Sequence, residues 1–114
     1  MAKFIYRMQN ILNIKYKLED QAKNEFMLAN RILQEEEEKK EKLLIRKASY
    51  QQEAKELLAK RLDVFRIREN KEAILRMEEY IREQDIVIQR AKEEVEERLR
   101  LLLHFDRRER HRKN

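Results

Sequence analysis

Few side chains in this sequence could do chemistry. The two histidines, His104 and His111, stand seven residues apart near the C-terminus. A helical zinc-hydrolase site needs two His four apart with a Glu beside the first, and no His-Glu-x-x-His run occurs. Both therefore read as solvent-exposed or helix-end residues, and no metal is assigned. Cysteine is absent, which removes disulfides and thiolate metal sites and fits a reducing cytosol. Glycine is absent too. Without it the Gly-rich phosphate loop, the dinucleotide fingerprint and the nucleophile elbow cannot be built. No catalytic residue, cofactor or small-molecule substrate follows, and the chemistry left to the chain is binding.

Charge is the main material for binding. Residues 1–34 hold six Lys or Arg against three acids, residues 35–97 fifteen against eighteen, and residues 98–114 seven against two. The C-terminal cluster contains Arg107, Arg108, Arg110 and Arg112. Such a basic pole suits an acidic protein surface, a membrane or nucleic acid. The same residues at a helix C-terminus also oppose the macrodipole and make a soluble end. Nucleic acid fits poorly, because only Phe105 offers a stacking ring there and the body of the chain is acidic. The acidic run Glu35 to Glu38 precedes Lys39 and Lys40 in the order that favours i,i+4 pairs, so it reads as a solvated helix surface.

The elements that position these charges follow from composition and period. Charged residues make up 45% of the chain, and Gly, Pro and Trp are all absent. That leaves no cheap turns, no compact core and a surplus of good helix formers. Apolar residues recur at Phe4, Met8, Ile11 or Leu12, Leu18, Ala22, Phe26, Ala29 and Leu33. The stripe stops over Gln34 to Lys42, then resumes at Leu43, Tyr50, Ala54 and Leu57. In the second half Ile67, Ile74, Ile81, Ile88, Val95 and Leu102 fall every seven residues without a break, a heptad seam. The companion positions Asn70, Met77, Gln84, Ala91 and Arg98 alternate polar with apolar, which lowers stability and fixes register.

Positions 22, 29, 36, 43, 50 and 57 of the first half are also seven apart. Folding the chain near residue 62 sets Leu57 by Ile67, Tyr50 by Ile74, Leu43 by Ile81, Ala29 by Val95 and Ala22 by Leu102. Glu36 then faces Ile88, a mismatch that makes the middle the weakest part. The expected fold is all-α, a long antiparallel two-helix coiled-coil hairpin in a single domain. Helix one covers about 4–60, the turn about 60–69, helix two about 67–103, and a basic tail 104–114, with Asp63 placed to cap helix two. A straight dimerising helix of about 150 Å is the alternative topology. No apolar run reaches the roughly 18 residues of a membrane span, and the N-terminus lacks the pattern of a signal peptide.

The opening Ala2-Lys3-Phe4-Ile5-Tyr6-Arg7-Met8-Gln9-Asn10-Ile11-Leu12, with Ala22-Lys23-Asn24-Glu25 and Ile81-Arg82-Glu83-Gln84, resembles the flagellar export protein FliJ family over about residues 1–100. The resemblance implies an antiparallel coiled coil like the stalk of rotary ATPases, with its helix ends in the ring of the export ATPase hexamer. It also implies contacts with the export gate protein FlhA and with export chaperones. The family's gate-contacting surface falls on Leu43, Tyr50 and Met77, though the first two are also seam residues, for which core packing is the favoured reading. The chain departs from the family after Leu101-Leu102-Leu103, where His104 to Asn114 replaces a continued heptad. Helix two is then expected to be the shorter, leaving about residues 1–20 without a partner in the chain.

The expected function is a non-enzymatic, cytoplasmic component of the flagellar type III export apparatus, peripheral to the inner face of the cell membrane. The charge map assigns the ATPase contact to Arg107, Arg108, Arg110 and Arg112. The competing readings are a nucleic-acid-binding coiled coil and a purely structural dimer.

Overall fold

The computed structural model describes the backbone of residues 2–60 and 63–113 and the side chains of residues 2–60 and 63–105. Two helices account for almost all of it, α1 (Ala2–Ala59) and α2 (Val64–Lys113), paired as an antiparallel coiled-coil hairpin. Fifty-eight unbroken residues in α1 follow from a sequence with no Gly or Pro to stop them.

The reversal is made without glycine, and no described residue has a positive φ. The last turn of α1 closes with the Lys60 amide donating to the Glu56 carbonyl at 3.2 Å. Asp63 then caps α2: its Oδ1 accepts from the Phe65 amide at 3.1 Å, and its carbonyl accepts from the Ile67 amide at 3.2 Å. The cap starts α2 at Val64, three residues before the seam residue Ile67 where the repeat alone places it. Arg61 and Leu62 lie outside the described residues. At its other end α2 continues through the basic stretch to Lys113, past the expected boundary at residue 103. Arginine is a good helix former, and positive charge near a helix C-terminus is favourable.

The chain packs as two units. In the first, Leu33–Ala91, Ala73, Met77 and Ile88 are buried with Asn70, while Leu43, Tyr50, Leu57, Ile67, Ile74 and Ile81 are half-buried between the helices. In the second, Met1–Ile32 with Lys92–Asn114, the buried residues are Ala22 and Ala29, whose small side chains let a helix approach closely. Phe26, Val95, Leu102 and Phe105 are half-buried in the same unit. Partial burial of the large seam residues is what a two-stranded pair allows, since each knob is covered on one side only.

Candidate functional site

The polar companion positions of the α2 heptad bind α1. Asn70, only 7% exposed, donates from Nδ2 to the Tyr50 carbonyl at 3.0 Å. Gln84 donates from Nε2 to the Glu36 carbonyl at 2.9 Å and to Glu36 Oε2 at 2.7 Å. Within the other unit, Arg98 Nη1 donates to Glu25 Oε2 at 2.9 Å, while its Nε holds Glu94 Oε1 at 2.7 Å. The Glu94 carboxylate, and then Glu25, hold the Arg98 guanidinium still further toward its charged form. The three tie residues stand fourteen apart in sequence, every second heptad. Asn70 and Gln84 each sit one turn before Ile74 and Ile88, the residues the repeat sets opposite Tyr50 and Glu36. An α1 carbonyl points toward the C-terminal end of its helix, so on an antiparallel neighbour its donor must come from the lower-numbered turn.

Glu36 is therefore more than a mismatch. Ile88 across from it stays buried, and the Glu36 carboxylate is partnered by Gln84 on one oxygen and by Lys39 Nζ at 3.0 Å on the other. The Gln84 bond, followed by that of Lys39, holds its pKa below the ordinary carboxylate range. Nearby, Lys40 reaches Asp85 at 2.7 Å and Lys47 reaches Glu78 at 3.6 Å. Residues 34–42 are thus helical as expected, but Glu36 and Lys40 turn in to meet α2. No buried side-chain nitrogen or oxygen among the described residues lacks a partner.

The residues singled out from sequence divide by access. Leu43 and Tyr50 are half-buried, while Met77 is 7% exposed and keeps its side chain inside the pair. Leu43 lies midway between Glu36 and Tyr50, and Met77 midway between Gln84 and Asn70, so the two ties bracket both. Tyr50 also lines an open groove of about 530 Å³ with Glu53, Arg66, Glu69, Glu72 and Arg76. Arg107, Arg108, Arg110 and Arg112 lie on the α2 backbone beyond the described side chains. His104 is exposed.

Two apolar surfaces were not singled out as sites. Leu57, Leu58, Ile67, Ile74 and Leu75 line a groove of about 310 Å³ close to the reversal. Phe65 and Val64, beside the cap, are largely exposed. At the start of α1, nine large apolar side chains from Phe4 to Leu18 are exposed. Leu57, Ile67 and Ile74 are seam positions and Phe4, Met8 and Leu18 belong to the apolar stripe; the further signal was the apolar residues at its flanks, Leu58 and Leu75 in the first surface and Ile5, Ile14 and Tyr16 in the second. Among the described residues, no helix is long and apolar enough to cross a membrane.

The family model described as the flagellar FliJ protein matches residues 4–113. No curated protein and no solved structure matches the chain.

Proposed function

The chain belongs to the flagellar FliJ family, a non-enzymatic accessory of the flagellar export machinery, and we propose that it works there as a stalk on the export ATPase hexamer. What supports this reading is the seam. A stalk must pass on a change at one place without its helices sliding, and the ties of Asn70, Gln84 and Arg98 resist sliding within each unit. The ATPase contact is made by the basic helix end, through Arg107, Arg108, Arg110 and Arg112. That segment carries seven Lys or Arg against two acids over residues 98–114, against a nearly balanced body. Export chaperones complete the partner set that the family implies.

The export gate protein FlhA takes the surface around Leu43 and Tyr50. Of these, Tyr50 opens onto the charged groove lined by Arg66 and Arg76 together with Glu53, Glu69 and Glu72, so it offers a ring edge flanked by charges of both signs to an incoming segment. Met77, being buried, acts by holding that surface in shape. In this reading the protein works at the inner face of the membrane through its partners.

Titration against the export ATPase tests the reading. Changing Arg107, Arg108, Arg110 and Arg112 to Gln weakens binding about tenfold at low salt and flattens its salt dependence. Changing Lys60, Arg61, Arg66 and Arg68 at the turn leaves affinity nearly unchanged. The opposite ranking reverses the orientation, and no binding by the unaltered chain removes the stalk role.

A further inference from the structure

Cross-helix ion pairs close one flank of the seam in the unit Leu33–Ala91, and they stop short of the reversal. Lys40 pairs with Asp85, and seven residues nearer the reversal on each helix Lys47 pairs with Glu78. The next step of seven brings Ala54 and Lys71 to the same positions. Alanine offers no charge, and Lys71 stands where the two earlier steps have an acid. The flank opens there: Ala54 and Lys71 line the apolar groove of about 310 Å³, with Leu58 from α1 and Leu75 from α2. Leu58 is 72% exposed and Leu75 54%. A solitary exposed leucine is ordinary on a protein surface. These two share one groove, whose other apolar walls are the seam residues Leu57, Ile67 and Ile74.

Charge on this flank has one sign. From the start of α2 the flank positions, spaced four and three apart, read Val64, Arg68, Lys71 and Leu75. Arg68 and Lys71 are exposed. The next flank position, Glu78, is an acid already held by Lys47. The other flank, onto which Tyr50 opens, mixes Arg66 and Arg76 with Glu53, Glu69 and Glu72.

From these observations we infer that the groove between Leu58 and Leu75 is the docking site of an acidic amphipathic helix of a partner protein, laid along the pair as a third helix. From Ile67 to Leu75 the groove runs about 12 Å at 1.5 Å per residue. That length takes two or three apolar anchors at i, i+4 and i+7. An acid beside those anchors supplies to Lys71 and Arg68 the partner that Ala54 does not. A second copy of the chain, joined groove to groove, would set Arg68 and Lys71 against their own counterparts. A bilayer takes a broad apolar arc rather than a short cleft. The site lies on the flank opposite the charged groove at Tyr50 and away in sequence from the C-terminal arginines, so it does not rest on the stalk reading.

A synthetic peptide of about three heptads, with Leu at a and d and Glu at e and g, is the probe; its like charges keep it from pairing with itself at neutral pH. Fluorescence anisotropy of the labelled peptide, titrated with the full chain at low salt, shows saturable binding. The same peptide with Lys for every Glu binds at least about tenfold more weakly. Leu58→Asn with Leu75→Asn costs the Glu peptide more than about tenfold. Arg68→Glu with Lys71→Glu reverses the preference, so that this variant takes the Lys peptide over the Glu peptide, a result that loss of fold does not produce. Circular dichroism of both variants matches the unaltered chain, because all four positions are exposed. The tail variant at Arg107, Arg108, Arg110 and Arg112 keeps its affinity for the Glu peptide. No saturable binding by the unaltered chain, or binding of the Glu peptide that survives either groove variant, overturns the inference. So does sedimentation in which the unaltered chain associates with itself and the Leu58 and Leu75 variant does not, which makes the occupant a second copy.

Discussion

Asn70, Gln84 and Arg98 are polar side chains at positions where a coiled coil is most stable with leucine. Each donates to α1, Arg98 while also holding Glu94 of its own helix, and their environments differ enough to separate their effects. Asn70 meets a backbone carbonyl that already serves its own helix, so Asn70→Leu is neutral or stabilising by up to about 1 kcal/mol. The cost falls on uniqueness, and sedimentation should show mixed oligomers. Gln84→Leu leaves the Glu36 carboxylate with Lys39 alone and lowers the melting midpoint. The acid dependence of that site has a definite sign. Glu36 has a folded-state pKa below the ordinary Glu value, so the unfolded chain takes up its proton first. The stability it contributes is present above that ordinary value, near about 4.3. It is lost as pH falls through the lower folded value. The difference in melting midpoint between the unaltered chain and Glu36→Gln should therefore be largest near neutral pH and shrink over the range in which the pH falls through and below the ordinary Glu value. A difference that stays constant across that range means that the Gln84 contact does not depend on the charge.

The helices themselves were legible because a seven-residue repeat can be read without knowing the partner. The run from Ile67 to Leu102, and the run of positions from Ala22 to Leu57, are seam residues in the structure, and Asp63 caps α2. Partners of the polar positions were less legible. Whether Gln84 meets Ile, water or Glu36 depends on the register and on the direction of α1 carbonyls, neither of which appears in the residue types. For the same reason the run 34–42 read as a solvated surface, while Glu36 and Lys40 face α2. The boundary at residue 103 rested on the end of the heptad, but helix continues wherever the backbone has good formers and no breaker. Among the candidate site residues, Tyr50 kept an open face and Met77 did not, a distinction set by packing that spacing alone does not carry. Burial gives a sharp prediction for the seam. Ile88→Asp places an unpaired charge at a position 7% exposed and should cost about 3 kcal/mol or more, and Ile81→Asp somewhat less. Ile86→Asp, at an exposed position two residues away, should change stability by about 0.5 kcal/mol or less. Thermal melting by circular dichroism ranks the three.

For the molecule as a whole, every functional statement depends on the two helices belonging to one chain. The proposed stalk and the proposed gate contact at Leu43 and Tyr50 both presuppose a hairpin, whereas a straight dimerising helix would present different surfaces. The chain contains no cysteine, so introduced thiols can be labelled uniquely. Lys23 and Leu99 are exposed residues of α1 and α2 within one packing unit. Spin labels at Lys23→Cys and Leu99→Cys, diluted with unlabelled protein, measure the topology directly. Helices packed 8 to 10 Å apart put the labels within about 20 Å of each other, and that distance should persist on dilution. A separation near about 110 Å, as a straight helix requires at 1.5 Å per residue, or a short distance that disappears on dilution, would contradict the hairpin.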